Sequence, residues 1–327
     1  MENIAVISHI ADIDGVGSAA LLKMKFKIPS RNLFFISHDP EDLELVERML
    51  VPLFKKKTSL FITDMNPGPK TAKIFKRIIT RAKRSGGRVI WLDHHFWSDK
   101  MLKEIASECD VAVVGENKEM CATQLVQRLA SLNTPFAKDF AKMLYHIDLF
   151  IPTTNKRYNR VSEQYKLGID YFNMGESFGA KQNNLRHIAS IIASGKLLDD
   201  KINAAAAKFK ELNEKRIQLM LKELYLISYK IAIGFTTHVD STDGCTAIKQ
   251  KTGFDIAILV KSEHGHSSIR STVNDVVPLA NALGGGGHPH AAGFQVNTKE
   301  YNFFRSKADK ERFVGKLVHA AQKLGLT

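Results

Sequence analysis

Carboxylates and imidazoles gather at three places in the first third of this 327-residue sequence. His9, Asp12 and Asp14 fall in HIADIDG, Asp64 falls in FITDMNP, and Asp93, His94 and His95 end the apolar run RVIWL. Carboxylates crowded together repel one another, and burying them unpaired costs several kcal/mol each. A divalent cation removes that problem. The spacing of Asp12 and Asp14 suits a loop whose two carboxylates approach different ions, with His9 adding a nitrogen ligand and Asp64 positioned to bridge the pair. Mixed oxygen and imidazole ligands fit manganese better than magnesium or calcium; zinc, iron or cobalt are also compatible. Two such ions ~3.5–4 Å apart activate a water and neutralise charge on a phosphoryl group under attack. Taken singly, Asp14-Gly15 is a turn signature and a histidine at a strand end is ordinary. Their occurrence together, in order, points to a metal site.

The elements that must position these groups read as strand–helix units. Strands are expected at 4–8, 33–37, 59–63, 88–92 and 111–115, and helices near 17–26, 41–50, 69–84, 99–108, 121–131 and 136–147. Pro69 and Ser98 are expected helix starts. A parallel sheet follows, and its carboxyl ends, where open α/β sheets hold ligands, would carry all of these acids and histidines in one crevice. Residues 175–230, rich in Ala, Leu, Lys and Glu, read as a long helix or helical pair acting as a connector. Beyond Tyr229 the strand-like YKIAIGF, DIAILV and SSIRSTV, the run LGGGGHPHAAGF and a terminal helix near 308–324 predict a smaller α/β domain.

Composition narrows the partners. A formal charge of +13 and a pI near 9.5 favour polyanions. Three scattered cysteines, Cys109, Cys121 and Cys245, suggest buried thiols rather than a disulfide framework or a structural zinc site. No basic leader precedes the first strand and no apolar run reaches ~18 residues, so a cytoplasmic protein with no membrane partner is expected.

HIADIDGVGSA, ITDMNP, WLDHHFW and the Asp148 of YHIDLF together resemble the four successive motifs of the DHH phosphoesterase superfamily. LGGGGHPHAAG resembles the glycine-rich signature of its associated C-terminal domain, so the resemblance spans residues 9–293. The superfamily includes RecJ-type exonucleases, nano-RNases, 3′,5′-bisphosphate nucleotide phosphatases, cyclic dinucleotide phosphodiesterases and manganese-dependent pyrophosphatases. The resemblance implies that His9, Asp12 and Asp64 hold one manganese and that Asp14, Asp64, His94 and Asp148 hold the other. It implies that Asp93 orients the histidine pair and that His95 faces the scissile phosphate as a catalytic group. In the second domain it implies that Arg270 and His288, with the exposed amides of Gly286 and Gly287, grip the phosphate or terminal nucleotide. One departure is the Ala11 that stands where several members carry Asn or Asp.

Other features read as structural. His146 is two residues from Asp148 and points elsewhere on a helix. HVDSTDG (238–244) mimics a calcium turn but lacks the downstream bidentate glutamate, so a plain turn is expected. His264 and His266 are candidates for the substrate path, and Lys55–Lys57 and the basic run 76–88 are candidates for nucleic-acid contact or a solvated face.

The expected organisation is a DHH catalytic metal-binding domain over 1–150, a helical connector over 151–228 and a substrate-binding domain over 229–327. The expected function is a two-metal phosphodiesterase that releases mononucleotides from single-stranded DNA or RNA, short oligonucleotides included. The preferred cofactor is Mn2+, with Mg2+ or Co2+ as alternatives. A bisphosphate nucleotide phosphatase or cyclic dinucleotide phosphodiesterase is the alternative activity, and an inactive nucleic-acid-binding or scaffold module the lesser one. A homo-oligomer and a replication or repair protein partner are compatible with this reading.

Overall fold

Every residue of the run IAVIS in the first strand is apolar or small, which suits a strand covered on both faces. In the computed structural model, which describes residues 3–10, 12–114, 119–149, 151–174, 177–263 and 265–326, this run is an interior strand of a five-stranded sheet, flanked on both sides. Ala11, Gly115 and His264 lie outside the described residues.

The elements of the first half, in chain order, are β1 (Asn3–His9), α1 (Ile13–Phe26), β2 (Leu33–Ile36), α2 (Pro40–Leu50), β3 (Thr58–Thr63), α3 (Ala72–Arg84), β4 (Val89–Leu92), α4 (Asp99–Glu104), β5 (Val111–Val113), α5 (Ala122–Leu129) and α6 (Pro135–Asp148). All five strands are parallel, in the order β2-β1-β3-β4-β5, so the chain reverses its direction of winding between β1 and β3. Side chains alternate between two apolar layers. Val6, Leu33, Phe35, Phe61 and Leu92 pack with α1, α5 and α6, whereas Ile7, Phe34, Ile62 and Trp91 pack with α2, α3 and α4. The expected α/β class and parallel sheet are observed.

Three helices follow: α7 (Lys156–Asn173), α8 (Phe178–Ala193) and α9 (Asp200–Met220). The sequence suggested a helical connector over 151–228, and three helices fall there. Tyr158, Tyr165, Phe172, Leu185, Ile188 and Ile202 bury themselves in the core layer around α1, because α7 and α8 carry apolar stripes that need a surface to cover. The chain accordingly divides into two compact units, 1–209 and 210–327, with the division inside α9.

The second unit comprises β6 (Tyr225–Ile227), β7 (Ile231–Thr236), α10 (Ser241–Thr252), β8 (Ile256–Lys261), β9 (His266–Arg270), α11 (Val277–Ala282), β10 (Gly286–His288), β11 (Ala291–Gln295) and α12 (Lys307–Lys323). Its mixed sheet runs β10-β11-β9-β8-β7-β6, with only β7 and β8 parallel. One face packs on α11 and α12, the other on α10.

Two local expectations are corrected. HVDSTDG is not a plain turn. Asp240 caps α10 by accepting from the Thr242 and Asp243 amides, so Ser241, Thr242 and Asp243 form the helix's first turn. Helix α3 begins at Ala72 rather than at Pro69, which lies in the turn that Thr71 Oγ1 closes on Gly68. Of the three thiols, Cys121 and Cys245 are buried, whereas Cys109 is half-buried.

Candidate metal centre

The carboxyl ends of β1, β3 and β4 lie side by side, because these three strands are neighbours and parallel. His9 is the last residue of β1, Asp64 follows β3, and Asp93 follows β4. A switch point between β1 and β3 is where a doubly wound sheet opens a crevice.

Helix α1 starts immediately beyond β1. Asp12 takes the extended conformation of an N-cap (φ −140°, ψ 176°), and its Oδ1 accepts from the Gly15 amide at 3.1 Å. Asp14 therefore sits in the helix's first turn rather than in the loop the sequence suggested. Gly15 is required by closeness: a Cβ there would stand 2.5 Å from the His9 carbonyl oxygen. The Ser8 hydroxyl donates to the Gly15 carbonyl at 2.7 Å and fixes the same junction. Asp64 has φ +56°, a left-handed conformation that costs free energy for a residue other than glycine.

Three groups of side chains offer ligand atoms within 4.8 Å of one another: His9–Asp12–Asp64, Asp14–His94–Asp148, and Asp64–His94–His95. Asp64 and His94 thus link the groups. His9 Nδ1 is 3.1 Å from Asp12 Oδ2 and 4.0 Å from Asp64 Oδ2. His94 Nε2 is 3.6 Å from Asp64 Oδ1 and 3.3 Å from Asp148 Oδ2. Asp148 comes from the last residue of α6. Both Asp14 oxygens accept main-chain amides at the start of α5, from Ala122 at 2.7 Å and Thr123 at 3.0 Å. A cavity of ≈540 Å³ opens here; Asp12, Asp14, His94, His95 and Asp148 line it together with Ser162, Lys166 and Asp170 of α7.

The electrostatics are those of a cluster awaiting positive charge. Asp64 is 1% exposed; burial, then the charges of Asp12, Asp14 and Asp148, raise its carboxyl well above the usual range. Burial and the charges of Asp14 and Asp12 push Asp148 up to about 8. Asp14 is raised by burial against the pull of Thr123. Burial opposes ionisation of Asp12 too, but its bond to His9, the His9 charge and the Gly15 amide hold it at about 2. Burial lowers the His94 imidazole. Of the eight buried side-chain atoms without a hydrogen-bond partner among the described residues, three, Asp64 Oδ2, His94 Nε2 and Asp148 Oδ2, converge here. Buried polar atoms without partners are uncommon and call for an explanation such as an ion. Hard carboxylate oxygens mixed with imidazole nitrogen fit a divalent cation.

Asp93 and His95 play a different part. Asp93 Oδ1 holds His95 Nδ1 at 2.7 Å, while Asp93 Oδ2 accepts from Trp97 Nε1 at 2.7 Å. Trp97 in turn packs edge-on to the fully buried Trp91, whose Nε1 donates to the Met65 carbonyl. His95 is thereby tied to the core through Asp93, and that bond raises its imidazole above the ordinary value. Asp93 was expected to orient the histidine pair; its carboxylate bonds His95, and His94 Nε2 faces Asp64 and Asp148.

Residues in the second unit form their own arrangement. His288 pairs with Ala291 across β10–β11, and Ala291 pairs with Arg270 across β11–β9, placing Arg270 and His288 on one row of one sheet face. Two strand spacings, about 10 Å, separate them. Gly286 and Gly287 form strand β10 rather than a free loop, and Gly287 has φ +142°. The Arg270 guanidinium donates to the Ile269 and Ala292 carbonyls at 3.0 and 3.4 Å.

Sequence reasoning missed several groups. His38, whose ring lies 5.3 Å from His9, follows β2 and was accessible to the same strand-end rule. Ser162, Lys166 and Asp170 recur every four residues, a spacing that would have shown had α7 been recognised. Asp255, whose carboxylate accepts from the amides of Thr272, Val273 and Asn274 and so shapes the turn after Arg270, carries no sequence signal.

No protein-family model matches this sequence, and no curated protein is significantly similar to it. Solved structures are similar in fold. A pGpG-specific phosphodiesterase, PggH, from Vibrio cholerae shares 14% identity with a TM-score of 0.51, over 98% of this chain and 99% of that one. An exopolyphosphatase-related protein from Bacteroides fragilis (15% identity, TM-score 0.48, 99% and 93% covered) and an uncharacterized protein from Helicobacter pylori G27 (16%, 0.40, 95% and 98%) also match. The likeness to PggH over nearly the whole of both chains is a likeness of fold.

Proposed function

We propose that this chain is a divalent-metal-dependent phosphodiesterase of the DHH superfamily that releases mononucleotides from an end of single-stranded DNA or RNA, short oligonucleotides included. The observation that carries the reading is the set of buried, partnerless atoms on Asp64, His94 and Asp148, within a carboxylate cluster whose pKa values are raised by mutual repulsion. His9, Asp12 and Asp64 would hold one cation, and Asp14, Asp64, His94 and Asp148 the second, with Asp64 the bridge and Mn2+ the preferred ion over Mg2+ or Co2+. When bound, such a pair supplies a polarised water and neutralises charge on the phosphoryl oxygens.

The chain's own groups do the rest. Asp93 fixes His95 Nδ1 and favours the imidazolium, so His95 offers Nε2–H to a phosphoryl or leaving oxygen as charge develops. Asp14, held by two amides at the start of α5, keeps its remaining lone pairs turned toward His94 and Asp148. In the second unit, Arg270 and His288 on one sheet face, with the Gly286 and Gly287 amides, bind a substrate phosphate or terminal nucleotide. The charge of +13 favours a substrate with several phosphates.

A dinucleotide substrate is the second reading, favoured by the fold likeness to a pGpG-specific phosphodiesterase. End-labelled DNA and RNA from two nucleotides upward, incubated with manganese, magnesium or chelator, test both. Stepwise release of 5′-mononucleotides from strands of every length supports the exonuclease; turnover confined to dinucleotides supports the second reading. Turnover only of 3′,5′-bisphosphorylated mononucleotides would replace both by a phosphatase, and none at all would leave an inert binding module.

A further inference from the structure

We infer that the basic face of α3 carries the trailing part of a single-stranded nucleic acid whose terminal phosphodiester occupies the carboxylate–histidine cavity; this rests on the phosphodiesterase reading. A run of lysines and arginines on a helix is by itself an ordinary solvated face. Three observations distinguish this one.

The first is shape. Lys73, Lys76, Arg77, Thr80, Arg81 and Arg84 line a concavity of ≈390 Å³, so five cations surround one hollow. The second is incomplete neutralisation. Glu47, only 7% exposed, serves both Arg77, at 2.6 Å, and Arg81, at 3.2 Å, and Glu108 stands 4.0 Å from Lys76. Glu44 adds its charge beside Arg77, so among the described residues five cations meet three carboxylates. The third is continuity with the site. Lys73 also lines a second hollow of ≈380 Å³, shared with Lys100, Trp97, Phe96 and Glu104, the last 4.0 Å from the Lys100 amine. Phe96 adjoins His95 in sequence, is 65% exposed, and has its carbonyl held by Asn66 Nδ2 at 3.0 Å. An exposed aromatic ring on a fixed backbone, flanked by two amines, suits a base stacked on the ring with its phosphates on the lysines.

The direction of α3 completes the path. Its first residues follow the Asp64 loop at the carboxyl end of the sheet, and its far end reaches the start of β3, where the Ser85 hydroxyl accepts from the Thr58 amide. A 13-residue helix spans about 20 Å, room for roughly six phosphates of a stacked strand. The strand would leave the metal cavity over Phe96 and run down α3, so affinity should grow with length beyond a dinucleotide.

The test is fluorescence anisotropy on the full chain, with chelator present to stop turnover, using labelled dT15 and dT2 over a range of salt. The variants are Lys73→Gln/Lys76→Gln/Arg84→Gln and Phe96→Ala, with Lys307→Gln/Lys316→Gln/Lys323→Gln on α12 removing the same charge elsewhere. We expect wild type to bind dT15 well above dT2, and the α3 variant to lose about tenfold or more of that preference. The slope of log affinity against log salt should flatten by about 2, three phosphate contacts at ~0.7 each. Phe96→Ala should lose about tenfold with its salt slope intact, and the α12 variant should match wild type. Equal binding of dT15 and dT2 by wild type, or an α3 variant that keeps both affinity and slope, overturns the inference. If manganese supports hydrolysis of neither oligonucleotides nor bis(4-nitrophenyl) phosphate, the catalytic reading fails, while the binding arm still decides whether α3 holds a strand.

Discussion

Replacing Asp148 by Asn should stabilise the metal-free protein while removing its response to metal. In the folded chain burial and the neighbouring Asp14 and Asp12 hold the Asp148 carboxyl at about 8, against 3.8 for a free side chain. A raised carboxyl costs nothing where it is protonated in both states. Its penalty therefore begins near pH 4, grows as the unfolded chain ionises and the folded one does not, and levels off above about 8. At 1.36 kcal/mol per pH unit the full penalty approaches roughly 6 kcal/mol. Asp14 and Asp64 compete for the same protons, so removing one carboxyl recovers only part of this, about 2 kcal/mol. For a unit of this size that corresponds to a melting temperature higher by about 4–8 °C at pH 8. The assay is thermal unfolding of wild type and Asp148→Asn in chelator from pH 4.5 to 8.5, repeated with manganese. The difference should be near zero at pH 4.5 and widen toward pH 8. Manganese at ~100 times its Kd should stabilise wild type by about 2.7 kcal/mol and the variant far less. An Asp148→Asn protein less stable than wild type at pH 8 in chelator, or one equally stabilised by manganese, would refute the reasoning.

Manganese affinity should fall as pH drops below about 8, because the cation must displace the proton held by Asp148; calorimetry in buffers of different ionisation enthalpy should detect proton release on binding. Asp93→Asn should lower the His95 pKa, since that carboxylate is the main support of the imidazolium, so the alkaline limb of the pH–rate profile should move to lower pH and kcat fall about 100-fold. A profile unchanged in shape would remove His95 from acid catalysis. Trp97→Phe leaves Asp93 Oδ2 buried without its donor and should cost about 1–3 kcal/mol in denaturant unfolding, with a smaller loss of kcat. Gly15→Ala places a methyl 2.5 Å from the His9 carbonyl and should displace the β1–α1 junction, weakening manganese binding along with stability; unaltered metal affinity would contradict the tight junction.

The parallel sheet was legible because its strands are nearly continuous apolar runs, and the strand-end rule located His9, Asp64 and Asp93 without any coordinates. Asp14 was assigned to a loop because an Asp-Gly pair signals a turn, but Asp12 caps a helix that buries Asp14 in its first turn. The helices beyond residue 151 were expected as a connector from composition alone; Tyr158, Tyr165 and Ile188 supply a stripe that only the tertiary structure reveals as core. Pairing of Asp93 with Trp97, or Asp14 with the amides of Ala122 and Thr123, joins residues whose relation cannot be read from spacing. The glycine run was expected to expose its amides to a phosphate, but its secondary structure carried no sequence signal; Gly286–His288 is an edge strand because β11 offers it a partner.

The most direct test of the shared-carboxylate centre is to count manganese ions and ask whether they are neighbours. Equilibrium dialysis with electron paramagnetic resonance on the full chain should give two Mn2+ per chain with an exchange-coupled spectrum, and Asp64→Asn should lose the coupling together with phosphodiester hydrolysis. A wild-type chain that binds no manganese, or one that hydrolyses its substrate equally well after Asp64→Asn, would contradict the account.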